Sequence, residues 1–241
     1  MPADAVTCSA LGAHALCALT AVHVQDTTGI EDVHLLPPDL VDEQARCLLE
    51  DMSVQAIKAG PIYTSDTARV IAQIAADYND VPLVLHLAAL PQALSDEDTE
   101  DAIAATLELL LPQTDLVMAD ESLLARWEAD GLVPSSSQSQ AENLLKFGAQ
   151  WVLSSGAQLR PGQRAHMLYG PEQTVLNWPW QAPSTRIPNL DGLVACALSV
   201  ELARGTDVPQ AVDRALQSAN RLAASTFRPG MGTLLINRAT P

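Results

Sequence analysis

The sequence has few basic residues and few aromatic residues, and it lacks a long uninterrupted apolar run. Only 13 Lys and Arg stand against 29 Asp and Glu, a formal net charge of -16. Phosphate groups are repelled by such a surface, so nucleic acid is not an expected partner. The apolar stretch at 13–24 contains two histidines and is shorter than the roughly 20 residues that span a membrane. Asp4 precedes it where an export signal would be basic, which predicts a cytoplasmic protein without a membrane segment.

Familiar chemical motifs are also missing. The four cysteines lie far apart in the sequence, which favours reduced thiols over a disulfide framework or a zinc site. The chain has no Walker loop, no dinucleotide-binding glycine fingerprint, no nucleophile elbow and no metal-type histidine pair. Motifs alone therefore indicate no reaction, and we expect no protein metal site.

The 241 residues are 48% hydrophobic and only 17% charged, enough for one large core. Strand-like and helix-like stretches alternate, which predicts a parallel sheet covered on both faces within one domain over 1–241. The predicted strands are 15–24 (buried), 54–60, 82–87, 115–119 and 150–156, followed by a hairpin pair at 165–170 and 174–180. The predicted helices are 37–52, 65–78, 96–112, 121–129, 139–148, 193–205 and 208–225, and 226–238 reads as a loop.

Ligands of open α/β sheets bind at the carboxyl ends of the strands, in the loops that lead into helices. The loops to search are therefore 25–29, 58–66, 86–92, 118–122, 154–158 and 186–192. At this level the sequence predicts a small-molecule cleft without naming the molecule.

Three motifs near the start keep the spacing of a known family. Ala3-Asp4, Ala10-Leu11-Gly12 and Val24-Gln25-Asp26-Thr27 resemble the start of the hydroxymethylpyrimidine/phosphomethylpyrimidine kinases of thiamine biosynthesis, members of the ribokinase superfamily. The stretches "QAIKAGPI" and "LLPQTDLVMAD" are similar to later family motifs. The resemblance implies a ribokinase-like three-layer αβα fold with a mostly parallel central sheet. It also implies ATP- and Mg²⁺-dependent phosphorylation of 4-amino-5-hydroxymethyl-2-methylpyrimidine or its monophosphate. We further expect a homodimer.

On the substrate side, Asp4 and Gln25 match family positions that contact the pyrimidine. A carboxylate and an amide can pair with the amine and ring nitrogens of an aminopyrimidine. The alternative is that Asp4 is a helix cap and Gln25 a turn residue at a strand end.

The catalytic motif of the family is altered. Its Gly-Thr/Ser-Gly-Cys, whose backbone N–H groups stabilise the transferred phosphoryl group, corresponds to Asn189-Leu190-Asp191-Gly192. Asp191 and Gly192 are thus the candidate catalytic positions, and the new carboxylate would repel a triphosphate. A role for Asp191 as catalytic base requires a one-residue shift against related kinases, and the alternative is that Asp191 or Asn189 is a helix cap.

The candidate nucleotide-binding residues are altered as well. The Asn of the family's Asn-x-x-Glu becomes Asp120, its Glu becomes Leu123, and Ser155-Gly156 replaces Lys-Gly. Phosphoryl transfer depends on positioned positive charge and metal, so weak or absent turnover is expected. Three hypotheses remain: a working kinase, a degenerate homologue that binds a pyrimidine-like ligand or acts as a regulatory protein, and a structural or interaction protein.

The first residues raise a separate expectation. In the family a strand and a glycine-rich turn come just before the first helix, so the sequence starts inside the substrate loop. Either Met1 is an internal methionine taken for the start, or the first strand and turn are truly missing.

Overall fold

The computed structural model describes residues 2–135, 139–180 and 189–239. Its helices are α1 Pro2–Ala10, α2 Pro38–Asp51, α3 Ser65–Asp77, α4 Asp96–Ala105, α5 Glu121–Ala129, α6 Gln140–Lys146, α7 Leu190–Ala203 and α8 Val208–Ala223. Its strands are β1 Ala21–Gln25, β2 Ile30–Leu35, β3 Ile57–Ala59, β4 Leu83–His86, β5 Leu116–Asp120, β6 Trp151–Arg160, β7 Gln163–Tyr169, β8 Val175–Pro179, β9 Thr226–Phe227 and β10 Leu235–Ile236.

Six of these strands form the central sheet, in the order β3-β4-β5-β6-β7-β8. Strands β3 to β6 are parallel, whereas β7 and β8 run antiparallel to their neighbours. Strands β3 to β5 are short and mostly apolar because helices cover both faces of the sheet there. Their carboxyl ends therefore meet along one edge of the sheet, where the candidate site is built.

The core has two halves, one on each face of the sheet. In β5 the side chains alternate, so Val117 and Ala119 pack toward α3 to α6, while Leu116 and Met118 pack toward α7 and α8. Helix α7 is apolar on nearly every side because α1, α8 and the sheet all pack against it. This confirms the predicted three-layer αβα fold with a mostly parallel sheet.

The prediction of a buried strand at 15–24 is wrong. Residues 21–25 form β1, which pairs with β2 in a separate antiparallel hairpin whose side chains are half-buried or exposed. The segment before it is held by Gln44, whose side-chain amide accepts from the N–H of Leu19 and donates to its C=O, both at 3.1 Å. The Gln44 amide thus satisfies the backbone N–H and C=O of Leu19 in place of a neighbouring strand.

Smaller differences occur elsewhere. The predicted helix 96–112 is α-helical only to Ala105 and continues as a π-helical turn and a 3₁₀ turn, because Pro112 lacks the N–H that an α-helix needs. The predicted loop 226–238 contains the short hairpin β9–β10. Within the described ranges no helix combines the length and apolarity needed to cross a membrane.

Candidate active site

The carboxyl edge of the sheet carries a pair of carboxylates, Asp120 and Asp191, which we call the acidic pair. Asp120 ends β5 and caps α5, since its Oδ1 accepts from the N–H groups of Ser122 at 2.8 Å and Leu123 at 3.2 Å. Two backbone donors thus fix its orientation. Asp191 lies in the first turn of α7.

The start of α7 is an open helix end. Asn189 precedes it with left-handed backbone angles (φ 59°, ψ 34°) and caps no N–H with its side chain. The N–H of Leu193 bonds to the C=O of Asn189 at 3.1 Å, so the N–H groups of residues 190–192 point out of the helix end. Such an end can bind anions, and here Asp191 places a carboxylate in its first turn.

Three effects determine the pKa of the Asp191 carboxyl. Burial raises it most, the charge of Asp120 raises it further, and a hydrogen bond from Ser155 lowers it. The net result is a pKa of about 6. A largely buried carboxyl whose pKa is raised in this way is a candidate functional residue. At pH 7, above this pKa, Asp191 is predominantly charged, so it is repelled by Asp120 in the native state.

Ser155 connects the acidic pair to a buried histidine. It lies opposite Asp120 in the β5–β6 register, and its Oγ lies 2.9 Å from Nδ1 of His166 on β7. Burial lowers the pKa of His166 to about 4, so the ring is neutral at pH 7. The position that holds Lys in the family motif therefore carries no positive charge: Ser155 contacts the Asp191 carboxyl and the neutral ring of His166.

The side chain of Asn189 lies against Gly192. A Cβ built at Gly192 would overlap the side-chain amide of Asn189, so a larger residue there would require that amide to move. The cysteine of the family's Gly-Thr/Ser-Gly-Cys corresponds to this position. The candidate catalytic position thus lacks the thiol, and the Asn189 amide lies in its place.

The substrate side of the edge is organised by an ion pair. Oδ2 of Asp4 on α1 lies 3.3 Å from Nζ of Lys58 on β3. The side chain of Asp4 is 24% exposed and that of Lys58 is 14% exposed. The backbone beside Lys58 is tightly packed, because a Cβ at Gly60 (φ +106°) would overlap the carbonyl oxygen of His86 at the end of β4. Asp4 is therefore turned toward the sheet as an ion-pair partner.

Gln25 lies on the hairpin β1–β2, at the end of β1. Its Oε1 is 3.3 Å from Nδ1 of His23, and the His23 ring meets Tyr63 edge to face with centroids 5.4 Å apart. Tyr63 belongs to the loop between β3 and α3, which follows Lys58 in the chain. Asp4 thus contacts Lys58 in β3, whereas Gln25 is connected to the loop that follows β3 only through His23.

Gly156, the remaining candidate, lies beneath an aromatic ring. A Cβ at Gly156 (φ +73°) would stand 3.6 Å from Trp180, and the Arg164 guanidinium stacks on that ring at 5.7 Å from its centroid. A cavity of about 430 Å³ opens here at the tip of β6–β7; its lining is Gln158, Gly162, Gln163, Arg164 and Trp180.

Sequence reasoning missed several of these residues. Lys58 had a signal, as a lone charge in an apolar strand and the Lys of a family motif. His166 and Arg164 had none, since they come next to Ser155 and Gly156 only through the antiparallel pairing of β6 with β7.

The donor set for Mg²⁺ is small. The described ranges contain no group of three or more His, Cys, Asp or Glu that could hold a metal ion. Mg²⁺ in kinases takes one or two carboxylates together with phosphate oxygens and water, and the acidic pair offers two. The residues therefore fit a metal that arrives with a nucleotide, and Mg²⁺ would supply charge neutralisation between them.

Comparison with solved structures places the fold of this chain among ribokinase-like folds. Clostridium difficile phosphomethylpyrimidine kinase superposes with a TM-score of 0.73 at 20% identity, over 91% of this chain and 90% of that one. The ADP complex of Bacillus subtilis pyridoxal kinase superposes with a TM-score of 0.82 at 18% identity, over 99% and 91%. At these identities the structures define the fold.

Sequence comparison defines the family. The model "Phosphomethylpyrimidine kinase" matches residues 1–237. The hydroxymethylpyrimidine/phosphomethylpyrimidine kinase of Mycobacterium tuberculosis is 31% identical over 223 residues, which are 88% of this chain and 78% of that protein. The chain belongs to the phosphomethylpyrimidine kinase family.

Proposed function

We propose that the protein binds an aminopyrimidine of the kind its relatives phosphorylate, and that it transfers phosphoryl groups slowly or not at all. The observation that carries this proposal is the acidic pair at the start of α7. A helix end that should attract a triphosphate instead presents Asp191 beside Asp120.

The substrate side supports ligand binding. The Asp4 carboxylate is oriented by Lys58 at 3.3 Å and stays partly accessible, so it can accept hydrogen bonds from the amino group of a pyrimidine. Gln25 contributes an amide from the hairpin, next to the ring of His23. Thiamine biosynthesis is the pathway that the names of the relatives support for this ligand.

The phosphoryl side supports weak turnover. The acidic pair opposes the negative charge of a triphosphate, while Ser155 and neutral His166 add hydrogen bonds without positive charge. Arg164 is a cation near Gly156, although its guanidinium is stacked on Trp180. Catalysis of phosphoryl transfer rests on positioned charge, so this balance predicts a low rate.

The second candidate function is an active ATP-dependent hydroxymethylpyrimidine or phosphomethylpyrimidine kinase. One observation favours it: the pKa of Asp191 is raised to about 6, a value suited to a general base near neutral pH. In this case Asp191 would take the proton of the substrate hydroxyl group, and Mg²⁺ with ATP would reduce the repulsion within the acidic pair.

A homodimer in the cytoplasm completes the proposal. The hairpin β1–β2 supports self-association, because Val22 and Val24 on its outer face are 48% and 46% exposed. Apolar residues grouped on one exposed face are typical of an interaction surface.

Calorimetric titration separates the candidates. The full chain is titrated with 4-amino-5-hydroxymethyl-2-methylpyrimidine and, separately, with Mg-ATP. We expect the pyrimidine to bind and Asp4→Asn to weaken it at least tenfold, while Asp66→Asn, an exposed acid in α3, leaves it unchanged. Tight Mg-ATP binding with product formation would favour the active kinase, and no binding of either ligand would refute both candidates.

A further inference from the structure

Two cysteines that are 188 positions apart in the sequence are neighbours in the fold. Sγ of Cys8 on α1 lies 3.4 Å from Sγ of Cys196 on α7. Cys196 is buried, Cys8 is partly exposed, and the other two cysteines, Cys17 and Cys47, are exposed. The pair thus combines an accessible thiol with a protected one.

The surroundings make the two thiols unequal. A hydrogen bond from the Cys196 thiol and the nearby charge of Lys58 lower the pKa of Cys8 to about 7, although burial and Asp4 oppose the change. The pKa of Cys196 is raised, by its contact with Cys8 and by burial. Cys8 is therefore the more acidic thiol of the pair, and Cys196 is the less acidic one.

We propose that Cys8 and Cys196 form a redox-active dithiol that exchanges with small disulfides, Cys8 being the attacking thiol and Cys196 the resolving one. The sulfurs must approach by about 1.4 Å, from 3.4 Å to the roughly 2.05 Å of a disulfide. The accessible member is the better nucleophile at neutral pH, which is the usual arrangement of a reactive cysteine. The proposal is independent of the proposed function.

The exchange takes place in two displacements, written here for glutathione disulfide. The Cys8 thiolate attacks one sulfur, so a Cys8–glutathione bond forms, the glutathione disulfide bond breaks and one glutathione thiolate leaves. Cys196 then gives up its proton to that thiolate or to water and attacks Sγ of Cys8, which releases the second glutathione thiolate. The protein loses two electrons and glutathione disulfide gains them.

The product would tie the first helix to α7. Cys8 lies one turn after Asp4 on α1, and Cys196 lies one turn after Gly192 on α7. The thiol of Cys196 also approaches the carbonyl oxygen of Asp4 at 3.5 Å. Oxidation would therefore remove the Cys196 thiol as a proton donor to this carbonyl oxygen. It would also fix the distance between α1, which carries Asp4, and α7, which carries Asp191 and Gly192.

Mass spectrometry of the full chain tests the proposal. A Cys17→Ser/Cys47→Ser background is equilibrated with mixtures of oxidised and reduced glutathione, quenched with acid and alkylated, and its peptides are mapped. We expect a Cys8–Cys196 cross-link with the loss of two hydrogen atoms and no lasting glutathione adduct. Adding Cys196→Ser should trap glutathione on Cys8, and adding Cys8→Ser should give neither product.

Two results would overturn the proposal. One is that both thiols stay reduced in a mixture that fully modifies Cys17 and Cys47 of the unaltered chain. The other is a stable glutathione adduct on Cys8 while Cys196 remains free. Circular dichroism checks the fold of each variant; if Cys196→Ser is unfolded, Cys196→Ala replaces it, and the cross-link in the background variant remains the deciding observation.

Discussion

Asp191 lies close enough to Asp120 for their charges to interact at the start of α7, and the interaction adds to burial in raising the pKa of Asp191 to about 6. Two carboxylates are thus close together at a helix end, a position that can otherwise bind an anion. The native state keeps this repulsion because Asp120 caps α5 and Asp191 belongs to the first turn of α7. The consequences can be measured as stability and as activity.

The Asp191→Asn variant should be more stable than the unaltered protein at neutral pH. The native pKa exceeds the ordinary value of 3.8, so the protonated carboxyl favours folding; this contribution is complete below about pH 4 and is lost as pH rises through 6. One pKa unit corresponds to about 1.4 kcal/mol, and solvent screens part of the effect. We therefore expect the free energy of unfolding of Asp191→Asn to be higher by about 1 to 3 kcal/mol at pH 7.5.

Urea unfolding at pH 7.5 and pH 4 measures this difference. The gain should vanish at pH 4, where Asp191 is protonated in the unaltered protein. Asp80→Asn, which changes an exposed carboxylate in a turn, serves as the control and should alter stability at neither pH. An Asp191→Asn variant that is equally stable or less stable at pH 7.5 would contradict the repulsion within the acidic pair.

The Asp120→Ala variant tests the same pair from its other member. Removing an Asp cap costs about 1 kcal/mol, and Asp207→Ala at the start of α8 removes an Asp cap that accepts from one N–H and has no neighbouring Asp191. Relief of the repulsion should offset part of the lost cap for Asp120→Ala at pH 7.5, where Asp191 is charged, but not at pH 4. The cost of Asp120→Ala relative to that of Asp207→Ala should therefore be larger at pH 4 than at pH 7.5, and a difference that is the same at both pH values would argue against the charge interaction.

Much of the fold could be predicted because the parallel strands and their helices are regular. Segments such as 82–87 and 115–119 are apolar and bounded by turns, and they became β4 and β5. The hairpin β1–β2 could not be predicted in the same way. Its strand residues alternate in polarity, yet most of them are exposed, because their burial depends on tertiary contacts that local patterns do not contain.

The candidate site, too, could be predicted from the sequence only in part. Asp120, Ser155 and Asp191 could be placed near one another, since strand ends and a helix start meet at one edge of a parallel sheet. The Lys58 partner of Asp4, the His166 partner of Ser155 and the contact of Cys8 with Cys196 depend on which elements pack together. Separation in the sequence hides such pairs.

The ion pair of Asp4 with Lys58 should contribute measurably to stability. A double-mutant cycle with Asp4→Asn and Lys58→Met, followed by urea unfolding, should give a coupling of about 1 to 2 kcal/mol because both side chains are largely shielded from water. The matched control is Asp66 with Arg69, whose side chains are 60% and 64% exposed. That pair should give about 0.5 kcal/mol or less. Equal couplings would show that burial does not strengthen the Asp4 pair.

Self-association through the hairpin should depend on Val22 and Val24. Light scattering coupled to size-exclusion chromatography should show a dimer for the unaltered chain and a monomer for Val22→Lys/Val24→Lys, since charges on this face oppose its burial. Val175→Lys is the control, because Val175 on β8 is 49% exposed and lies outside the hairpin. A dimer that survives the first change and dissociates with the second would place the interface on β8.

The most direct test of the central claim is a single-turnover assay with excess protein, 4-amino-5-hydroxymethyl-2-methylpyrimidine and Mg-ATP, in which the phosphorylated pyrimidine is measured. Working kinases turn over at roughly 1 to 100 per second. The account predicts that the pyrimidine binds while product forms at or near the rate without protein, and that Asp191→Asn does not lower that rate. Product formation at a kinase rate, lost about a hundredfold or more in Asp191→Asn, would contradict it and establish Asp191 as the catalytic base.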